Sequence, residues 1–379
     1  MSEYQYVAFR ALDGPVSDKN LKYMRSQSSR ATITPLSFTN EYNYGDFHGN
    51  AIEMLRRGYD IHLHYANFGV RTLLIRMPTG LPDPAAAKKY LDGESLTFTK
   101  DKAGKGGILA IQPYFEPDGL DEIGNPRKWL DRLIPLREEL LEGDLRPLYI
   151  AHLAASFDDN HDREEAVEGP VPAGLAEVTA AQRALAKFHG LSRAMLAAAA
   201  GKSPPLSGDA PGQNFHKWLM SLSSDVKDKW LADWMANANS SARMELLLAY
   251  RQSQPKSGWP TVKTGRTIAA LESEAKAVQD RMDAEADAAA QRERAKTLAK
   301  VARNPKSHVK QVHNLVDQRS TSSYEEAGAI LADLRDALAG SKQASLAADL
   351  AVELHNKYRN RSTLTTALRN NGLLPKKSK

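Results

Sequence analysis

A run of 37 residues, 267–303, holds neither glycine nor proline, and it limits the folds open to this chain more than any other feature. It is dense in Ala, Glu, Lys, Arg and Gln, all strong helix formers. It therefore predicts one continuous helix, on the order of 50 Å long at 1.5 Å per residue. Leu271, Ala275, Val278 and Met282 keep heptad spacing, but Glu285 breaks the seam and alanines follow. The run reads as a partial coiled coil and offers one route to oligomerisation.

A helix of that length cannot fold into a small domain alone, so the flanking segments must supply the cores. Beyond Asn304-Pro305 the pattern stays helical. Ser323 and Glu326 suit a capping box ahead of Ala327, Ile330, Leu331 and Leu334, and Leu346, Leu350, Leu354 and Tyr358 line the next helix. A last short helix carries Leu364 and Leu368. Between residues 129 and 255 further helical stripes recur. Trp129, Leu133, Leu136 and Leu140 are split by Pro135, and Thr179 with Gln182 opens an alanine-rich helix. Phe215, Trp218, Leu219 and Leu222, then Val226, Trp230, Trp234 and Met235, read as helix-on-helix core packing.

Strand signals crowd into the first 160 residues. Residues 4–10 alternate, residues 31–38 look extended, residues 70–77 read as a buried strand ended by Pro78, and residues 96–99 and 108–115 suit two more strands. Asn50 with Glu53 caps a helix between them. The fold class expected is α+β. A small mixed α/β domain at 1–160, ferredoxin-like with helices on one face of its sheet, precedes a helical domain at 161–255, the long helix at 266–304 and a paired-helix tail at 305–379. Residues 158–172 read as a linker or surface loop, residues 254–265 read as a further Pro- and Gly-rich break, and residues 1–160 are expected to fold alone.

The chain has no cysteine. Disulfides, thiolate zinc sites, iron–sulfur clusters and cysteine nucleophiles are thereby excluded. Residues 1–10 are polar and aromatic, unlike a signal peptide, and no apolar run approaches a membrane span. A cytoplasmic protein without a membrane partner is expected. Charge is uneven: residues 291–379 hold 17 Lys/Arg against 8 Asp/Glu, whereas the other 290 residues hold 34 against 38. Lys296, Lys300, Arg303, Lys306 and Lys310, with Lys376, Lys377 and Lys379 at the end, read either as a solvated face or as a site for an acidic partner, nucleic acid first.

Asp60, His62 and His64 are the candidate metal ligands. In an extended segment they point to one face, with His48 as a fourth ligand; in a helix only Asp60 and His64 stay adjacent. Ordinary hydrogen-bonded histidines are the competing reading. Gly201-Lys202-Ser203 lacks the earlier glycine of a phosphate loop, and residues 104–107 read as a plain turn. No nucleophile elbow, paired-histidine zinc motif or dinucleotide fingerprint occurs, so no cofactor is expected.

Two stretches invite comparison with known families. Tyr324-Glu325-Glu326-Ala327, then Leu331-Ala332-Asp333-Leu334-Arg335-Asp336, Leu350, Leu354, Tyr358-Arg359, Leu364, Leu368 and Gly372-Leu373, resemble the helical C-terminal segment of bacterial SWIM-zinc-finger-type proteins. Glu41-Tyr42, Gly45-Asp46-Phe47, Tyr59-Asp60, His62-Leu63 and Ala66-Asn67-Phe68-Gly69 resemble a family of uncharacterised bacterial proteins. The finger needs cysteines, so its zinc and DNA binding do not carry over. Taken together, these features predict a non-enzymatic interaction or assembly protein of bacterial type with a protein partner. The alternatives are a nucleic-acid-associated accessory factor using the basic C-terminal region and, more remotely, a metal-dependent enzyme using Asp60, His62 and His64.

Overall fold

The computed structural model describes residues 3–102, 104–114, 123–157, 164–206, 211–236, 245–246, 249–250, 253 and 258–375. The fold is α+β. Seven strands form one sheet: β1 (Gln5–Arg10), β2 (Thr32–Ile33), β3 (Ser37–Tyr42), β4 (Ile61–Ala66), β5 (Arg71–Met77), β6 (Leu96–Lys100) and β7 (Gly107–Ile111). Their order is β2-β3-β1-β4-β5-β7-β6, and every neighbouring pair runs antiparallel. A ferredoxin-like sheet has four antiparallel strands, so the seven-stranded order replaces that part of the expectation.

Period-two alternation divides the apolar residues between two cores. Val7, Phe9, Leu74, Ile108 and Ala110 meet Leu21 and Met24 of α1 (Asp18–Ser26) and Met54 and Leu55 of α2 (Ala51–Arg56). On the opposite face, Ala8, Ile61, Leu63, Leu73, Ile75 and Leu109 join a larger core. Helices cover both faces rather than one, which explains why β5 and β7 are buried along almost their whole length.

The larger core draws on α3 (Pro84–Ala87), α4 (Trp129–Leu133), α5 (Pro135–Glu142), α6 (Arg146–Ala155), α7 (Ala180–Phe188) and α8 (Arg193–Ala200). Pro135 splits α4 from α5 as its missing N–H demands, and Thr179 with Gln182 forms the reciprocal box that starts α7. Next come α9 (Pro211–Ser221) and α10 (Ser224–Ala236). The long run folds as α11 (Ile268–Arg303), and its Ile268, Leu271 and Ala275 close the same core that begins at Tyr6. Compact units comprise Met1–Gln279 and Asp280–Lys379, with the division inside α11.

The stretches 158–172 and 254–265 are joined to each other. β8 (Val171–Pro172) pairs with β9 (Thr261–Val262), and Val167 bridges Thr267. Beside this ribbon Arg266 forks onto Glu168 at 3.0 and 2.8 Å, with both side chains almost wholly buried. Tyr149 Oη and Thr264 Oγ1 also donate to that carboxylate. Composition breaks thus mark a clasp within one unit. The heptad set of α11 is used likewise, Leu271 and Ala275 packing into this core, with Val278 against it, rather than forming a coiled-coil seam.

The second unit has its own core. Val301 of α11 packs with α12 (Pro305–Asp317), α13 (Thr321–Ala337), α14 (Leu346–Lys357) and α15 (Ser362–Asn370) around Val312, Leu331, Leu350 and Leu368. Gly328 lets α13 approach α15, since a Cβ there would lie 3.1 Å from Ala367 O. Ser320, not Ser323, caps α13: its Oγ accepts from Ser323 N at 3.1 Å, and Ser323 is buried in the first turn.

Candidate functional site

The proposed metal ligands lie where β4 pairs with β1. The segment is extended, so His62 and His64 share a face, but Asp60 precedes the strand and turns away. Its Oδ2 accepts from Leu12 N at 2.7 Å and Asp13 N at 3.0 Å, while Arg76 and Arg137 each approach Oδ1 at 3.4 Å. Arg137 also clamps Asp13 at 2.8 and 2.5 Å. Asp60 is therefore part of a buried ion-pair cluster. Burial raises its pKa, against the pull of Arg137.

His62 stacks on Phe9 with ring centroids 4.0 Å apart, and its Nδ1 lies 3.1 Å from Ala8 O. A carbonyl only accepts, so Nδ1 carries the proton. Burial pushes its pKa down to about 3. His64 Nε2 lies 2.8 Å from Gln5 Oε1, and Gln5 Nε2 donates to Asp46 Oδ1. Burial lowers the His64 pKa too. His48 is exposed, and among the described residues no three His, Asp or Glu side chains converge as a metal set. The structure does not bring Asp60, His62, His64 and His48 together.

A cleft of about 340 Å³ opens beside Phe68, Arg71, Thr72, Gln112 and Tyr114. Its most polar group is committed to the fold: Arg71, nearly buried, donates to Phe188 O at 2.6 Å. The next residue, His189, is buried, and neither ring nitrogen has a hydrogen-bond partner among the described residues. Desolvation, with Arg71 second, pushes its pKa to about 3.

The basic candidates fall at a helical corner. Lys300 and Arg303 end α11, Asn304 breaks it and caps α12 by accepting from Ser307 N, and Lys306 and Lys310 occupy the first two turns of α12. All four are exposed, and none makes an ion pair among the described residues. Lys296 differs, bridging Glu293 at 2.6 Å. Lys376, Lys377 and Lys379 lie outside the described residues.

The aromatic stripes depart most from expectation. Trp218 packs on Trp230, with ring centroids 6.2 Å apart, so α9 and α10 do meet. Phe215 and Trp218 also contact Tyr250. Yet no residue of α10 is buried, and Met220, Leu231 and Met235 are 65%, 54% and 88% exposed. Trp218, Trp230 and Trp234 are half-buried. Helical spacing marks a stripe but carries no information on whether anything closes over it. The sequence therefore concealed an exposed surface as a core.

No protein-family model, curated protein or solved structure matches this chain. Among the described residues, no helix is long and apolar enough to cross a membrane.

Proposed function

We propose that this chain is a non-enzymatic interaction or assembly protein that docks a protein partner through the apolar face of α9 and α10. The observation that carries the reading is the exposure of Met220, Leu231 and Met235 beside half-buried tryptophans. Large apolar side chains exposed together on one helix pair suit a contact site. Full burial of each large apolar side chain contributes about 1.5–3 kcal/mol, so a handful can offset much of the roughly 4–15 kcal/mol lost on association. Lys227 and Lys229 stand against Asp225, Asp228 and Asp233 along α10, a near balance that suits an apolar partner face rather than a polyanion. We place the chain in the cytoplasm, whose reducing conditions a cysteine-free chain tolerates.

The test compares affinity purifications of the whole chain and its Leu231→Glu/Met235→Glu variant from the native host. Both positions are exposed, so the variant should melt like the parent. A protein recovered with the parent and lost with the variant supports the reading. Identical recovery with both defeats it.

A further inference from the structure

We propose that the corner between α11 and α12 docks on the phosphate backbone of a nucleic-acid duplex, a function separate from the apolar face of α9 and α10. Residues 294–316 contain six Lys/Arg and no Asp or Glu. Within that stretch the structure sorts the cations. Arg294 is tied to Asp333 and Asp336, and Lys296 to Glu293. Lys300, Arg303, Lys306 and Lys310 remain exposed and without an ion pair among the described residues. They fall within eleven residues on two consecutive helices, each of which is anchored in the unit's core, by Val301 and by Val312.

This concentration is unfavourable by itself. The first turn of α12 carries Lys306 and no acidic side chain, although the positive end of a helix dipole favours an acid there. A dense polyanion relieves both the mutual repulsion and the dipole mismatch. Duplex backbone fits better than single strands, because no Phe, Tyr or Trp occurs between Trp259 and Tyr324, and Tyr324 is buried. Base stacking needs such rings. It also fits better than a bilayer, since an interfacial helix inserts large apolar side chains and none within residues 294–316 is among the exposed ones. Four backbone contacts without base-edge readers predict binding that ignores sequence.

The experiment titrates the full chain against fluorescent duplexes of two unrelated sequences at 50 and 200 mM salt. Each neutralised phosphate contributes about −0.9 to the slope of log affinity against log salt, so four contacts give a slope near −3.6 and a loss of about 150-fold across that range. Lys300→Ala/Arg303→Ala should make the slope shallower by about 1.8. Lys19→Ala/Lys22→Ala, an equal charge change on α1, should leave it unchanged. Matching affinities for the two duplexes complete the expected result. A flat salt dependence, an equal loss from the α1 variant, tighter binding to a single strand of the same length, or binding confined to phosphatidylserine vesicles would each overturn the proposal. The Leu231→Glu/Met235→Glu variant does not touch this corner, so failure here leaves the protein-docking reading standing.

Discussion

Replacing Arg266 with Met tests the claim that the clasp holds the Met1–Gln279 unit together. The side chain of Glu168 is 0% exposed and that of Arg266 5%, so the pair is desolvated on both sides. Removing the guanidinium strands a carboxylate that keeps, among the described residues, only the hydroxyls of Tyr149 and Thr264 as side-chain donors. Stranding one partner of a buried pair costs about 3–5 kcal/mol. In a domain of this size each kcal/mol lowers the melting temperature by about 2–4 °C, so a fall of about 6–20 °C is expected. The partner change Glu168→Gln removes the stranded charge, and the double variant should recover most of the loss because the penalty lies in the unpaired carboxylate. Urea unfolding followed by tryptophan fluorescence measures both, with the Arg266→Met, Glu168→Gln and double variants completing a cycle. A loss under about 1 kcal/mol for Arg266→Met, or a double variant no more stable than the single, would refute the reasoning.

Acid should weaken the fold well before its carboxylates titrate. His62 and His189 are held near pKa 3 by burial, against about 6.5 when unfolded, so the unfolded chain binds more protons between those values. Stability is fully present above about pH 6.5 and falls as pH drops toward 3, by up to about 1.4 kcal/mol per pH unit for each histidine. Urea midpoints at pH 7, 6 and 5 measure it, and an unchanged midpoint would sink the idea. His189→Leu removes two unpartnered ring nitrogens and should shallow that slope while raising stability at pH 7 by about 1 kcal/mol; a loss at pH 7 would show that the ring is satisfied after all. A fragment of residues 280–379 retains its own core and should give a helical spectrum and one cooperative melt. Residues 1–160 alone lack Leu185, Phe188, Ile268 and Leu271 from their larger core, so their melt should be broad, and a sharp transition would contradict the unit boundary.

Local chemistry was legible from the residues wherever one element decides it. β5 stands between Gly69 and Pro78 around Leu73-Leu74-Ile75, α7 opens on its capping box, and α11 begins within one residue of the glycine-free stretch. What stayed hidden depends on partners distant in sequence. Ile61-His62-Leu63-His64 left strand and helix both open until the pairing of β4 with β1 and β5 settled it. Asp60 looked like a ligand because its use by Leu12, Asp13, Arg76 and Arg137 spans up to 77 positions. Proline and glycine near 170 and 260 announced loops truthfully, but nothing local reveals that two loops will pair. The basic corner was visible as charge; which cations are already paired was not, since Arg294 finds Asp333 39 positions away.

The clasp also sets a timetable for the chain as it is made. The sheet is complete once Ile111 has been added, yet the residues that close its larger core, Ile268, Leu271 and Ala275, follow only about 160 residues later, or roughly 8–32 s at 5–20 residues per second. For that interval one face of a seven-stranded sheet is lined by Leu63, Leu73, Ile75 and Leu109 and lacks its last cover. An emerging chain in that state is a substrate for holdase chaperones, and synonymous codons that slow translation between residues 112 and 268 should lower the yield of native protein without changing a single side chain.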